Sequence, residues 1–293
     1  MLRPLSMVPR YDRLSRARRA LPMAALPLVC TRRCRYANAS SAGDVAIVRS
    51  IRKLTTSLHA WLGRLSHHEI LLLVALVLLA GATWLFVEIA DEVLEGETAS
   101  LDRRILLAMR DRNDPNQPWG PPWVQETARD FTAIGGVAVT ACMTLAVIGG
   151  LLMQRKVHAA VLVGVAIGGG GLLSTLLKSM FDRPRPDLVP HGSYVYTTSF
   201  PSGHSMLSAI TFLTLGALLA RVEGGRRMKV YLLSIACSLT FLVGLSRVYL
   251  GVHWPTDVLA GWTAGGAWAT ACWIIARHLQ QRGQVETDHA PTA

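Results

Sequence analysis

Six apolar runs, each close to the ~20 residues needed to cross the hydrocarbon of a bilayer, dominate the chain from residue 70 onward. They leave little choice of fold. No water enters the hydrocarbon, so a spanning segment must satisfy its backbone N–H and C=O groups internally, and only helices and closed barrels do so. The runs are placed near Ile70–Ile89, Thr132–Met153, His158–Leu177, Gly203–Ala220, Val230–Leu250 and Pro255–Ala276. By length each reads as helix, so the expected class is an all-α polytopic membrane protein. Residues 61–280 form its six-helix domain, flanked by a basic tail at 1–60 and a polar C-terminal tail at 281–293. A chain of 293 residues could instead hold one or two soluble domains, but 51% hydrophobic residues arranged in such runs argue against that.

Charge is unevenly placed. Residues 1–60 carry twelve Lys/Arg and two Asp/Glu, nearly all of the formal +11. The basic balance therefore describes a tail and gives no reason to expect a nucleic-acid partner. Beside a bilayer such a segment reads as an inside-positioning signal or a contact to anionic lipid. Three readings of the tail stand: a disordered cytoplasmic segment, which is favoured, a targeting peptide, or a true start downstream, for instance at Met23. Cys142, Cys237 and Cys272 lie inside apolar runs and read as small buried hydrophobes. Cys30 and Cys34 lack the second ligand pair that a metal site would need.

Lys and Arg in the short loops set the orientation. The N-terminus, Gln154-Arg155-Lys156, Arg221–Lys229 and the segment from Arg277 onward are basic and fall on one side if there are six spans. The other side receives Asp91–Asp130, with nine acids and five bases, as well as Lys178–Ser202 and the turn Gly251–Trp254. Within the first of these, Ser100–Arg112 has apolar Leu101, Ile105, Leu106 and Met109 among charges, and an amphipathic helix at the interface is expected. The glycine run Gly164–Gly171, with no Gly-Lys-Ser/Thr after it, reads as close helix packing.

Three polar clusters share the outer side. The third span ends in "LLKSMFDRPRPD", with Lys178, Arg183 and Arg185. Lys178 and Arg185 are seven residues apart and would share a face if the helix persists that far. Snorkelling to the interface is the plain alternative for each cation. The fourth span opens with Pro201-Ser202-Gly203-His204. Backbone amides and the positive dipole end at Ser202 and Gly203 make an anion cradle, with His204 placed to give a proton to whatever the anion is attached to. The third cluster, "GLSRVYLGVHWPTDVLAG", supplies Arg247, His253 and Asp257. Asp257 can accept from one imidazole nitrogen of His253 and leave the other as nucleophile. Three cations and a helix N-terminus suit a phosphoryl group. No acidic cluster suited to Mg²⁺ accompanies them, so neither metal nor cofactor is expected.

Lys178-x6-Arg185-Pro186, Pro201-Ser202-Gly203-His204 and Ser246-Arg247-x5-His253-x3-Asp257 resemble the tripartite signature of the type 2 phosphatidic acid phosphatase family, whose site is shared with vanadium-dependent haloperoxidases. Arg183-Pro184 is a second basic-proline pair just before; the x6 spacing favours Arg185 and leaves open whether Arg183 shares its role. The resemblance, over about Glu69 to Ala276, implies a six-span hydrolase working through a phosphohistidine. By that likeness His253 is the nucleophile, Asp257 orients it, and His204 protonates the leaving group. Lys178, Arg185, Arg247, Ser202 and Gly203 hold the phosphate. The implied substrate is a membrane lipid mono- or diphosphate: phosphatidate, phosphatidylglycerol phosphate or undecaprenyl diphosphate. The expected setting is a bacterial inner membrane with the site facing the periplasm or exterior. Haloperoxidases with this site are typically soluble, which argues against halide chemistry here. A six-span lipid or anion transporter is the rival reading. It calls for polar groups through the inner half of the spans, where few are present.

Overall fold

A computed structural model of the chain describes residues 66–191 and 197–283, with the helical positions 47, 49, 52 and 53. The chain divides into two units, Met1–Arg64 and Leu65–Ala293. Apart from those four positions, the basic tail with Cys30 and Cys34 lies outside the described residues, as does the C-terminal tail beyond residue 283.

Helices are the only regular elements in the described part of the second unit, apart from one isolated bridge between Arg110 and Pro118. In chain order the helices are α1 (His67–Glu95), α2 (Ala99–Ala108), α3 (Pro122–Ile134), α4 (Val137–Met153), α5 (Val157–Met180), α6 (Gly203–Val222), α7 (Arg226–Tyr249) and α8 (Pro255–Gln281). Five of them are long and apolar enough to cross a membrane, and six spans result if α3 and α4 count as one. Helix α1 shows how the ends are fixed. Ser66 Oγ accepts from the Glu69 amide, Glu69 Oε2 accepts from the Ser66 amide, and Gly96 closes the other end at φ 80°.

Cys142 and Cys237, expected to be buried, are exposed and Cys272 is half-buried, and three further outcomes depart from the sequence reading. The expected span Thr132–Met153 is broken: α3 and α4 meet at Gly135-Gly136 with a 47° bend. Gly136 is extended (φ −72°, ψ 153°) and starts α4 as its N-cap. Helix α5 stops at Met180, because Phe181 turns extended and the Pro184 and Pro186 that follow cannot continue a helix. Arg185 therefore reaches its place from an extended strap and not from two turns of helix. The helix expected over Ser100–Arg112 is shorter, running Ala99–Ala108, and its Asp102 and Leu106 are fully buried while Leu101 stays exposed.

Helix α6 is the hub, packed against α5, α7 and α8. Met206 and Ile210 on α6 join Leu151, Ala159, Ala160, Val163, Ile167, Leu215 and Ala264 in the main core. Close approach to α8 depends on missing side chains. A Cβ on Gly261 would stand 2.6 Å from the Ser202 carbonyl oxygen, and one on Gly265 would stand 2.7 Å from that of Met206. In the glycine run of α5, the tightest approaches are Gly169 against Trp268 and Gly170 against Ile210, while Gly164 and Gly171 meet Ile148 and Leu207 at ordinary contact distance. Gly168 faces open space. Burial in lipid gives no hydrophobic drive between helices, so such small-residue seams carry the packing. The α6–α8 seam presses the first turn of α6 against the first turn of α8.

Candidate active site

Pro255 occupies the first turn of α8, where its missing N–H costs nothing. That choice fixes the start of the helix and places Asp257 at its third position. From there Asp257 Oδ2 reaches back to accept from the Trp254 amide at 2.9 Å. The same oxygen accepts from Ser199 Oγ and lies 3.4 Å from His253 Nδ1. Asp257 and His253 are both buried, at 0% and 1% exposure. On the other side of the ring, Nε2 is 3.2 Å from Arg185 Nη1. A guanidinium can only donate, so Nε2 is the acceptor and the ring proton belongs on Nδ1, facing Asp257. This tautomer leaves the Nε2 lone pair directed at Arg185. Burial pushes the His253 imidazole down to about 3, against the opposing hydrogen bond and charge of Asp257; Arg247 and Arg185 add to the lowering. The ring is therefore neutral near pH 7.

Arg185 meets that nitrogen, and Lys178 and Arg247 lie within electrostatic reach of Arg185. Arg185 is held by backbone oxygens of Thr197 (2.7 Å) and Val252 (2.7 Å), and Lys178 Nζ by the Thr198 carbonyl (2.9 Å). Lys178 also lies over the start of α6, since a Cβ on Gly203 would be 3.2 Å from its Cε. Arg247, in the last turn of α7, is 2% exposed and donates from Nη1 to Thr132 Oγ1 at 3.0 Å. Its Nε is buried with no hydrogen-bond partner among the described residues. His204, in the first turn of α6, is within electrostatic reach of Arg247, His253, Lys178 and Arg185. At the α3–α4 break, a Cβ on Gly136 would come 3.8 Å from His204 Nε2. Ser202 is fully buried; its amide donates to the Asp257 carbonyl (2.9 Å) and its Oγ accepts from Ser205 Oγ. All eight residues singled out in the sequence thus lie around one place, where the end of α5, the start of α6, the end of α7 and the start of α8 meet.

Arg183, two residues before Arg185, lies elsewhere. Nη1 donates to Asp257 Oδ1 (2.6 Å) and Thr256 Oγ1 (2.8 Å), and Nη2 to Asp102 Oδ2 (2.7 Å). Both carboxylates are fully buried. Arg183 is thus neutralised by two acids, whereas Lys178, Arg185 and Arg247 have carbonyl or hydroxyl partners. The uncompensated positive charge faces His253, on the side away from Asp257. Removing Arg183 would leave two buried carboxylates without the cation they share.

Several members of the site escaped the sequence reading. Thr197 and Thr198 act mainly through their carbonyls, for which residue type carries no signal. Ser199 sits two residues before the proline of the second cluster, outside the four-residue motif Pro201–His204. Asp102 and Thr132 are 81 and 115 residues from their partners Arg183 and Arg247. The polar serine or threonine of a helix gave no reason to single out Thr132, and Asp102 looked like one charge of an amphipathic face.

Comparison with known proteins agrees with the geometry. Residues 159–281 match the PAP2 superfamily. Phosphatidylglycerophosphatase B of Bacillus subtilis is 35% identical over 149 residues, which cover 49% of this chain and 71% of that protein. Human dolichyldiphosphatase 1 is 30% identical over 138 residues, 44% of this chain and 57% of that one. Among solved structures, a transmembrane PAP2-type phosphatidylglycerolphosphate phosphatase from Bacillus subtilis superposes with a TM-score of 0.62 at 26% identity, covering 69% of this chain and 98% of that chain. The chain belongs to the PAP2 superfamily of type 2 phosphatidic acid phosphatases, and is an integral membrane hydrolase of phosphoric esters.

Proposed function

We propose that this protein hydrolyses a lipid phosphate or diphosphate through a phosphohistidine on His253, at the non-cytoplasmic face of the membrane. The observation that carries this reading is the buried His253 with Nδ1 toward Asp257 and Nε2 toward Arg185. Nε2 attacks phosphorus while the bond to the lipid oxygen breaks, and His204 supplies the proton that oxygen needs. Water then attacks the phosphohistidine, the P–N bond breaks, and His204 takes the proton from the water. Throughout, Asp257 holds Nδ1–H and stabilises the positive charge that develops on the ring. Arg185, Lys178, Arg247 and the first amides of α6 receive the equatorial oxygens; Arg185 exchanges its contact with Nε2 for one of them.

The lipid nature of the substrate is supported by the membrane setting and by the activities for which relatives are named: a phosphatidylglycerophosphatase, lipid A 1-phosphatases and dolichyl and undecaprenyl diphosphatases. The test is a panel of phosphatidate, phosphatidylglycerol phosphate and undecaprenyl diphosphate, assayed for phosphate release by the purified protein in detergent. Wild type is expected to turn over at least one, and His253→Ala none while keeping its thermal unfolding profile. Full activity in His253→Ala rejects the nucleophile. A wild type inactive on all three rejects the lipid reading.

A further inference from the structure

We propose that Arg183 and Asp102 are positioning residues that act on the reaction through Asp257, so that the outer-loop helix α2 helps to hold the nucleophile. This rests on the reading of His253 and Asp257 given above. A basic residue so close to Arg185 could have been a fourth phosphate holder, and its partners argue otherwise. Arg183 spreads its fork across Asp257 Oδ1 and Asp102 Oδ2, with Thr256 Oγ1 and Thr98 Oγ1 filling the remaining directions. Its guanidinium lies 5.7 Å over the Trp254 ring, the residue between His253 and Pro255. With both terminal nitrogens of the fork turned to Asp257, Thr256, Asp102 and Thr98, Arg183 cannot present that fork to a phosphoryl group.

The geometry sets what the relay does. Asp257 has two oxygens with different work: Oδ2 faces His253 Nδ1, Ser199 and the Trp254 amide, while Oδ1 is held by Arg183. Fixing Oδ1 fixes the plane of the carboxylate, and with it the direction of Oδ2 toward the ring. Asp102 in turn anchors Arg183, and it also takes the Thr256 amide (3.0 Å) and hydroxyl (2.6 Å) at the start of α8. It thereby ties α2 to the helix that carries Asp257. The planar fork matters here, since an ammonium could keep the charge without holding two carboxylates in register.

The experiment uses the full-length protein in detergent and whichever lipid of the panel it hydrolyses best. It compares Arg183→Gln, Arg183→Lys, Asp102→Asn and the double variant Arg183→Gln/Asp102→Asn, with thermal unfolding followed in parallel. For folded Arg183→Gln, kcat is expected to fall roughly ten- to a hundredfold with KM within about twofold, the pattern of a misaimed group. Arg183→Lys should recover part of that loss. Asp102→Asn should lower kcat less, and in the Arg183→Gln background it should add no more than its hold on Thr256 accounts for, so that the two losses fall short of multiplying. Wild-type kcat in folded Arg183→Gln overturns the proposal. So does a loss confined to KM, which would make Arg183 a substrate holder, or losses that multiply in the double variant. Should Arg183→Gln fail to fold, Asp102→Asn decides, since it keeps Arg183 on Asp257: a wild-type kcat there overturns the relay. A wild type inactive on every lipid removes the underlying reading as well, whereas an active wild type with unaffected variants removes only this one.

Discussion

Asp257 receives four donors on two oxygens, from Ser199, Trp254, His253 and Arg183. Only one of the four could be read from the sequence, because only His253 stands at a spacing, four residues, that carries a recognisable chemical meaning. The same limit hid Asp102, whose partner is 81 residues away. Local patterns report local contacts, and a buried ion pair between a loop helix and an extended strap has no local pattern. At this scale the burial of His253 has a measurable consequence. An ordinary imidazole is half protonated near 6.5. With its pKa pushed down to about 3, the His253 ring stays neutral and nucleophilic as pH falls from 7 to 5, and gains its proton only much lower. In histidine-labelled protein in micelles, the ¹⁵N signals that vanish in His253→Ala should therefore show a neutral ring at pH 5. A midpoint near 6.5 would contradict the role given to burial.

At the scale of elements, length and apolarity placed the spans well, because the bilayer imposes both. What they missed were the places where a helix stops for reasons of geometry: the bend at Gly135-Gly136 and the end of α5 at Met180. Both displacements serve the site. The bend brings Thr132 to Arg247 and Gly136 to His204, and the extended strap lets Arg183 and Arg185 point to different partners. The α6–α8 seam can be tested directly. Gly261→Ala sets a methyl 2.6 Å from the Ser202 carbonyl and 2.9 Å from Ser205 Cβ, so the first turn of α6 must shift. Overpacking of this kind costs about 1–3 kcal/mol, and activity should drop at least tenfold as the turn holding Gly203 and His204 moves. Gly266→Ala, with nothing within 4 Å, should leave both melting temperature and activity near wild type. Equal behaviour of the two variants would show that the seam is slack.

At the scale of the molecule, the proposed sidedness follows from alternation: basic loops at one end of the bundle, the functional side chains at the other. Cysteines placed at Asn116 and Gly224, in a background without native cysteines, should react with a membrane-impermeant maleimide from opposite sides. Labelling from one side would break the six-span topology. The three clusters around Lys178, His204 and His253 fall inside the matched stretch 159–281, which is why the family was legible in the sequence. Asp102 and Thr132 fall before it. A chimera that grafts α5–α8 onto another member's first half would therefore bring Arg183 and Arg247 into a foreign loop. However faithful its signature motifs, such a hybrid would inherit the reactive groups without their scaffolding, and the exchangeable unit of this enzyme begins no later than residue 98.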